Sequence, residues 1–336
     1  MTAALRIAVI HNLPADPLEA SESAVVEQAQ AIEAALLDAG HRPLPFALRD
    51  LAGLLVFLAQ AKPDLVFNCC EALAGNAAME SHVAAVFELL GMAFTGSSAL
   101  TLGLCQDKAL AKAVLTAHDV PTPAWWVLAP GKLPELAAPH RSYIYPLIVK
   151  PLREDASLGI DEDAVVDDEA ALLRRSRHVW DRFEQPALAE AFVDGRELNV
   201  ALLANASGEL ECLPISEIVF HDLPQARQRI VGYDAKWRKD SMAYQRTEAC
   251  CPARLTPALA QRAADIALGA AAALGLRDYA RIDLRVRATD EAVFVLEANP
   301  NPDIGPDSGF MRAALASGRS PAQVVSQIVA CALRRR

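Results

Sequence analysis

Residues 281–303 constrain this chain more than any other segment, because charged and apolar residues alternate there over two predicted strands. Side chains on a strand point alternately to its two faces, so each set of alternate residues shares a face. The polar set comprises Arg281, Asp283 and Arg285 on the first strand and Glu297 and Asn299 on the second. Apolar residues fill the opposite positions. The segment therefore predicts an antiparallel hairpin, turned at residues 288–291, with one core face and one polar face.

The polar face of this hairpin carries two carboxylates and an amide oxygen beside an arginine. Such oxygens on rigid strands suit a hard cation such as Mg²⁺ carrying phosphate oxygens. The alternative is the solvated face of a surface hairpin. We disfavour it, because surface hairpins favour Lys and Thr mixtures over Asp-x(13)-Glu-x-Asn followed by Pro-Asn-Pro-Asp.

Composition excludes several classes of protein. The 336 residues are 53% hydrophobic and 22% charged, which predicts a folded chain of about two domains rather than a disordered one. The net charge of −10 argues against a binder of nucleic acid or of anionic membranes. Neither a targeting segment nor a membrane span is evident, and the seven cysteines lack metal-site spacing. We therefore predict a cytoplasmic protein.

The first hundred residues alternate predicted strands and helices, which indicates a parallel α/β sheet. The strands fall at residues 5–10 and 64–68, and the helices at 23–39 and 79–90. Neither a GxGxxG turn nor a P-loop motif is present. Later segments read as shorter strands and helices, with a long polar segment at residues 221–244. We place domain boundaries near residues 100 and 190, giving segments 1–100, 101–190 and 191–336.

Seven short motifs follow one another in an order that resembles one enzyme family. They are Phe94-Thr-Gly-Ser97, Asp107-Lys108, Tyr145-Pro-Leu-Ile-Val-Lys150-Pro with Ser157-Leu-Gly159, Gly195-Arg-Glu197, Asp234-Ala-Lys236, Arg281-Ile-Asp283 and Glu297-Ala-Asn299. In this order they resemble the D-alanine–D-alanine ligase branch of the ATP-grasp superfamily. The resemblance implies an α/β fold, α+β in its C-terminal part. It would be an ATP-grasp fold with an N-terminal Rossmann-like parallel-sheet domain and ATP between the middle and last parts.

The resemblance assigns a nucleotide site to residues between positions 108 and 236. Lysines would contact the phosphates, a strand-to-loop linker would line the adenine, and a carboxylate would accept the ribose hydroxyls. In that order the residues are Lys108, Lys150 and Lys236, then Glu190, Phe192 and Val193, then Glu197. A structural ion pair is the alternative for Lys150, and an exposed helix residue is the alternative for Lys108.

The catalytic and metal roles come from the same resemblance. Asp283, Glu297 and Asn299 correspond to the ligands of two Mg²⁺ ions that bridge the ATP phosphates, with Mn²⁺ as an alternative metal. Arg281 corresponds to the arginine that holds the acyl-phosphate oxygens. Ser157 keeps the second serine of the phosphate loop, whereas Ala156 replaces the first.

The amino-acid end departs from the family pattern. Glu22 is the natural match for the carboxylate that binds the first substrate's amino group, or else an ordinary acid at a helix start. Trp237 stands where a tyrosine or phenylalanine is common, and we expect it to reshape the substrate pocket. Ser308 keeps the spacing of the residue that binds the second substrate's carboxylate. Glu71 and Glu80 are candidate replacements for a missing His-Gly segment.

These features lead to an ATP-dependent carboxylate–amine ligase that forms a peptide bond through an acyl phosphate. D-Alanine is the default pair by resemblance. One alternative is a ligase for other amino acids or for a specialised amide or peptide product. Another, from a different class, is a non-catalytic nucleotide-binding regulatory module. The expected partners are amino-acid substrates, with a homodimer compatible with the family.

Overall fold

The computed structural model describes residues 4–13, 20–130, 144–223 and 225–335, with residues 20–22 and 227 described by their backbone alone. Among the helices of these residues, none has the length and apolarity that crossing a bilayer requires. Three β-sheets, each with helices packed against it, form the architecture.

The first sheet is parallel and has the strand order β2-β1-β3. Its elements are β1 (Arg6–Asn12), α1 (Ala20–Asp38), β2 (Arg42–Leu48), α2 (Leu51–Ala61), β3 (Leu65–Cys69) and α3 (Glu80–Leu89). The predicted parallel α/β unit is thus confirmed. The sequence reading had missed β2, whose Pro43 and Pro45 are unfavourable in a central strand. They are tolerated because β2 lies at the edge of the sheet.

Two helices lead from the first sheet to the second. They are α4 (Ala99–Gln106) and α5 (Lys108–Ala117). The carboxylate of Asp107 accepts hydrogen bonds from the backbone N–H groups of Ala109 and Leu110, and so caps α5. This cap fixes Lys108 in the first turn of α5.

The second sheet is antiparallel, in the order β4-β7-β5-β6. Its strands are β4 (Trp125–Leu128), β5 (Leu147–Pro151), β6 (Val165–Val166) and β7 (Ala187–Ala191), and helix α6 (Glu169–Phe183) packs on it. Alternate residues of β5 and β7, among them Leu147, Val149 and Ala189, are buried beneath α6.

The third sheet is antiparallel, in the order β11-β10-β8-β12-β13, with β9 also paired to β8. Its strands are β8 (Gly195–Ala204), β9 (Leu210–Cys212), β10 (Ser216–Phe220), β11 (Thr247–Cys250), β12 (Tyr279–Arg287) and β13 (Val293–Asn299). Two short helices, α7 (Tyr233–Trp237) and α8 (Met242–Gln245), connect β10 to β11. The polar segment noted in the sequence at residues 221–244 therefore contains α7 and the start of α8.

Helix α9 (Pro257–Leu274) packs its alanine-rich face on the third sheet. Its cap is as predicted, because the Thr256 hydroxyl accepts a hydrogen bond from the N–H of Leu259. The last helices, α10 (Gly309–Ala316) and α11 (Pro321–Arg334), share a core with β1, β3 and α1. The end of the chain thus packs against its beginning, which brings the first sheet beside the polar hairpin.

The predicted hairpin is formed by β12 and β13, and β13 contains a bulge. Asp283 pairs with Glu297, but the next residue, Leu284, pairs with Val295, so Leu296 is an extra residue. Without it, Glu297 would share a face with Val295, which is fully buried in the core. The bulge therefore turns Glu297 to the polar face.

Candidate active site

A cavity of about 430 Å³ lies between the second and third sheets. Its lining includes most of the residues that the sequence analysis assigned to nucleotide and metal. These are Lys150, Ser157, Glu190, Phe192, Val193, Glu197, Lys236, Arg281, Asp283, Glu297 and Asn299. Arg281, Asp283 and Arg285 all face it, as their alternation on β12 predicted.

The carboxylate of Asp283 is the centre of a hydrogen-bond network on one cavity wall. Arg281 donates two hydrogen bonds to it, with N–O distances of 2.8 and 2.9 Å. The side-chain amide of Asn199 donates to Oδ1 at 2.7 Å, and that of Asn299 donates to Oδ2 at 3.1 Å. Donors from three strands, β8, β12 and β13, therefore orient this carboxylate.

Glu297 faces a second cation, Lys108, whose Nζ lies 2.9 Å from its Oε1. The same Nζ lies 3.2 Å from Oδ1 of Asp155 in the loop after β5. Burial raises the pKa of Glu297, but Lys108, Lys150 and Arg281 outweigh it and lower the pKa to about 2. Lys108 is only 5% exposed and does not line the cavity, so its contact with the cavity runs through Glu297.

Glu190 is held between two lysines beneath the cavity floor. Its Oε2 lies 2.6 Å from Nζ of Lys150, and its Oε1 forms an ion pair with Lys112. Burial raises the pKa of Glu190, but the two lysines reverse that effect and lower it. Since Glu190 is 1% exposed, its carboxylate is committed to the lysines, whereas Lys150 also borders the cavity.

Glu197 and Arg285 form a buried ion pair at the other end of the cavity. The two residues lie directly opposite each other on β8 and β12, and Nη2 of Arg285 is 2.9 Å from Oε2 of Glu197. Phe192 and Val193, at the turn between β7 and β8, line the neighbouring wall. This end thus combines apolar side chains with one ionised acceptor.

The loop between β5 and β6 contains three residues in the left-handed region of backbone conformation. Ala156, Ser157 and Gly159 have φ angles of 54°, 63° and 71°, in the left-handed region. A Cβ on Gly159 would lie 2.6 Å from the Pro151 side chain, so glycine is required there. The indole N–H of Trp237 donates to the carbonyl of Ala156 at 3.0 Å, which fastens α7 to this loop.

Trp237 and Ser308, two of the predicted substrate residues, do not line the cavity. Trp237 contacts the loop rather than the cavity lining. Ser308 is buried, and its hydroxyl accepts a hydrogen bond from the N–H of Met311 as the cap of α10. Glu22 belongs to α1, and its side chain lies outside the described residues.

The sequence analysis missed three residues of this site: Lys112, Asn199 and Arg285 as a partner of Glu197. Asn199 had a usable signal, since it lies two residues after Glu197 on the same face of one strand. Lys112 had a weaker one, because a lysine one turn after Lys108 is ordinary on a helix.

Comparison with known proteins decides the family. The family described as "D-ala D-ala ligase C-terminus" matches residues 114–330. The chain belongs to the D-alanine–D-alanine ligase family. It is therefore an enzyme, an ATP-dependent ligase of the D-alanine–D-alanine ligase type, as the sequence analysis predicted. The regulatory-module alternative loses its support.

Relatives resemble the ligase over most of their length. A protein named D-alanine–D-alanine ligase from Sphingopyxis alaskensis is 32% identical over 308 residues, covering 89% of this chain and 90% of its own. The uncharacterized protein y4sG from Sinorhizobium fredii is 33% identical, covering 91% of this chain and 88% of its own.

A solved structure shares the fold. The D-alanine–D-alanine ligase from Bacillus anthracis, complexed with ATP, has a TM-score of 0.76 at 22% identity, covering 99% of this chain and 98% of its own. At that identity the likeness supports the ATP-grasp fold alone.

Three acidic residues lie where the first sheet meets the end of β13. Glu71 follows β3, Glu80 begins α3 and Asp303 follows β13. Although the Glu71 side chain still reaches solvent, burial of its carboxylate and the charge of Asp303 raise its pKa to about 7. Asn301 donates hydrogen bonds to Glu80 and to the carbonyl of Cys70, which joins the first sheet to the end of β13.

The donor set of the ligase fits a hard cation. Glu297 and Asp283 lie directly opposite each other on β13 and β12, and both line the cavity. Within the described parts of the chain, no three His, Cys, Asp or Glu side chains group to hold an ion. Two carboxylates and the Asn299 amide leave the other positions to phosphate oxygens and water, which is how proteins usually bind Mg²⁺.

Proposed function

We propose that the ligase joins the carboxylate of one amino acid to the amine of another while ATP is converted to ADP and phosphate. The observation that carries this proposal is the convergence of Arg281, Asp283, Glu297 and Asn299 on one cavity wall, with Lys150 on another. Cations and cation ligands then surround one volume, as phosphoryl transfer requires.

The reaction has two steps that balance in bonds. A carboxylate oxygen of the first substrate attacks the γ-phosphorus, so a new O–P bond forms and the bond to the β,γ-bridging oxygen breaks, releasing ADP. The neutral amine of the second substrate then attacks the acyl carbon. A C–N bond forms, the C–O bond to phosphate breaks, and the nitrogen loses a proton.

The residues supply positioning and charge. Lys150 would contact phosphate oxygens, Ser157 and its loop would present N–H groups to them, and Lys236 would close the site from α7. Arg281 would hold the oxygens of the acyl phosphate. Asp283, Glu297 and Asn299 would hold Mg²⁺, or Mn²⁺ in its place, and the metal would offset the negative charge of the phosphates.

D-Alanine is the first substrate to test, because relatives named D-alanine–D-alanine ligase cover most of the chain. A specialised pair is the second candidate, supported by Ala156, Trp237 and the acidic residues Glu71 and Asp303. ADP release with single and paired D- and L-amino acids tests both. Turnover with D-alanine alone supports the first, turnover with an unlike pair alone supports the second, and no turnover with any mixture contradicts the proposal.

Asp283→Ala and Glu297→Ala should each abolish ADP formation and leave the fold intact. Loss of a single charge contact of this kind slows a reaction by about 10²–10³-fold. ADP release and circular dichroism measure the two properties. Asp290→Ala, in the exposed turn of the same hairpin, is the matched control and should keep its activity. Near-normal turnover in both site variants would overturn the metal assignment.

A further inference from the structure

Arg285 is a buried cation of the cavity wall that the proposed reaction does not use. It is 4% exposed, and its guanidinium reaches three separate parts of the chain. Nη1 donates to the carbonyl of Gly195 at 2.9 Å, while Nη2 donates to the carbonyl of Arg229 and pairs with Oε2 of Glu197. The start of β8, the segment before α7 and the Glu197 carboxylate are thus fixed by one group.

The backbone around this group is equally constrained. Gly195 has a φ of 154°, and a Cβ there would lie 1.9 Å from the carbonyl oxygen of Val286. The two strands therefore approach closely where Arg285 crosses from β12 to β8. A planar guanidinium with fixed donors suits such a site, since it cannot swing as an ammonium on a flexible stem can.

Glu197 depends on this contact. Glu197 is 8% exposed, and among the described residues its one ion pair is with Arg285. Burial raises the pKa of Glu197, and the charge of Arg285 opposes that rise. A carboxylate accepts hydrogen bonds through both oxygens only while ionised, and here one oxygen is already engaged.

We propose that Arg285 is a positioning residue for nucleotide recognition, which holds Glu197 so that its free oxygen accepts hydrogen bonds from the ribose hydroxyls. The inference rests on the proposed ATP-dependent function and on the ribose contact that the family resemblance assigns to Glu197. It makes Arg285 a determinant of the preference for ribonucleotides over deoxyribonucleotides, although it does not itself touch the sugar.

The test measures binding of Mg-ATP, Mg-2′-deoxyATP and Mg-3′-deoxyATP by calorimetry without amino acids, so that the substrate need not be known. The readout is the ratio of the deoxynucleotide Kd to the ATP Kd. The wild-type ratio should be about tenfold or more, the effect of one hydrogen bond to a charged group. Arg285→Met should bring the ratio close to one, and Arg285→Lys should restore it in part.

Two further variants make the outcome decisive. Arg287→Met, an exposed arginine two residues along β12, is the matched control and should keep the wild-type ratio. Glu197→Gln tests the ribose contact itself. If Glu197→Gln loses the preference and Arg285→Met keeps it, the inference is overturned and the ribose role of Glu197 stands. If Glu197→Gln also keeps the preference for ATP over the deoxynucleotides, both the inference and the ribose role of Glu197 are overturned.

If Arg285 had only a structural role, Arg285→Met would weaken the binding of all three nucleotides equally and leave the Kd ratio unchanged. That outcome would also overturn the inference. If Arg285→Met fails to fold by circular dichroism, Arg285→Lys decides. A severalfold lower ratio in the lysine variant supports the inference, and the wild-type ratio contradicts it.

Discussion

At the scale of single residues, two departures from the family pattern contact each other. Ala156 stands in place of a serine, and Trp237 stands in place of a tyrosine or phenylalanine. Ala156 offers no hydroxyl to helix α7, but its carbonyl accepts a hydrogen bond from the Trp237 indole. The indole is also a platform for Lys236, whose Nζ lies 4.9 Å from its ring centre. Trp237 therefore joins the phosphate loop to the residue that we expect to contact phosphate.

Trp237→Phe should loosen this contact, because phenylalanine keeps a ring but donates no hydrogen bond. Loss of one hydrogen bond, about 1 kcal/mol, weakens the attachment of α7 to the loop between β5 and β6 by about fivefold. We expect slower ADP formation and faster proteolytic cleavage within residues 221–244.

Trp180→Phe is the matched control for this prediction. The Trp180 indole donates to the Leu128 carbonyl at 2.8 Å, away from the cavity, so the same chemical group is lost elsewhere. The control should be slightly less stable yet equally fast in ADP formation. Equal rates of ADP formation in the two variants would contradict a role for the Trp237 hydrogen bond to Ala156 in the reaction.

Among the elements, the paired strands β8 and β12 carry the site. Asn199 and Glu197 on β8 lie opposite Asp283 and Arg285 on β12. The antiparallel register therefore pairs each acid with a donor from the other strand. A slip of one of these strands by one residue would turn its set of side chains away from the cavity and break this pairing.

Gly195→Ala should disturb this pairing, since its Cβ would overlap the Val286 carbonyl oxygen. Strands β8 and β12 would have to separate, and we expect a loss of stability of more than about 2 kcal/mol together with weaker ATP binding. Urea unfolding measures the first effect and calorimetry the second.

Gly269→Ala is the matched comparison, because we expect it to stabilise the protein rather than destabilise it. Gly269 lies inside α9, and a Cβ there would meet only Val120, at an ordinary contact distance of 3.7 Å. This change should stabilise the protein by about 0.5–1 kcal/mol. A Gly195 variant as stable as the Gly269 variant would contradict the close approach of the two strands.

In the whole molecule, packing of the chain's end against its beginning brings acids from distant segments together. Glu71 follows β3 of the first sheet and Glu80 begins α3, whereas Asp303 follows β13 of the third sheet. The domain boundaries and a homodimer stay predictions.

This assembly predicts a dependence of stability on pH. The pKa of Glu71 is about 7 in the folded chain, against 4.5 for an ordinary glutamate. A raised folded pKa contributes stability that is complete below pH 4.5 and is lost as pH rises through 7. Glu71→Gln should therefore stabilise the protein more at pH 8 than at pH 5. Solvent contact limits the difference to about 1 kcal/mol or less.

Urea unfolding at the two pH values measures this difference. Glu162→Gln, an exposed change remote from Asp303, is the control and should show equal stability changes at both pH values. A Glu71 variant with no difference between pH 5 and pH 8 would contradict a shared acidic environment.

Much of the lining of the cavity could be predicted from the sequence. Alternation on β12 placed Arg281, Asp283 and Arg285 on one face, because that periodicity is local to a strand. The N-cap of α9 and the parallel first unit were equally readable, since caps and βα alternation involve neighbouring residues. Edge strand β2 was missed because its two prolines oppose a strand assignment unless the edge position is known.

By itself, the sequence determined which residue types line the hairpin and the order of the motifs, since both follow from positions a few residues apart. Only the tertiary structure decided that a bulge at Leu296 turns Glu297 to the cavity, and that Asn199 and Arg285 meet Asp283 and Glu197. It also decided that Glu71 shares an acidic environment with Asp303. The physical reason is that strand register and packing between segments depend on residues far apart in the chain, which no local pattern specifies.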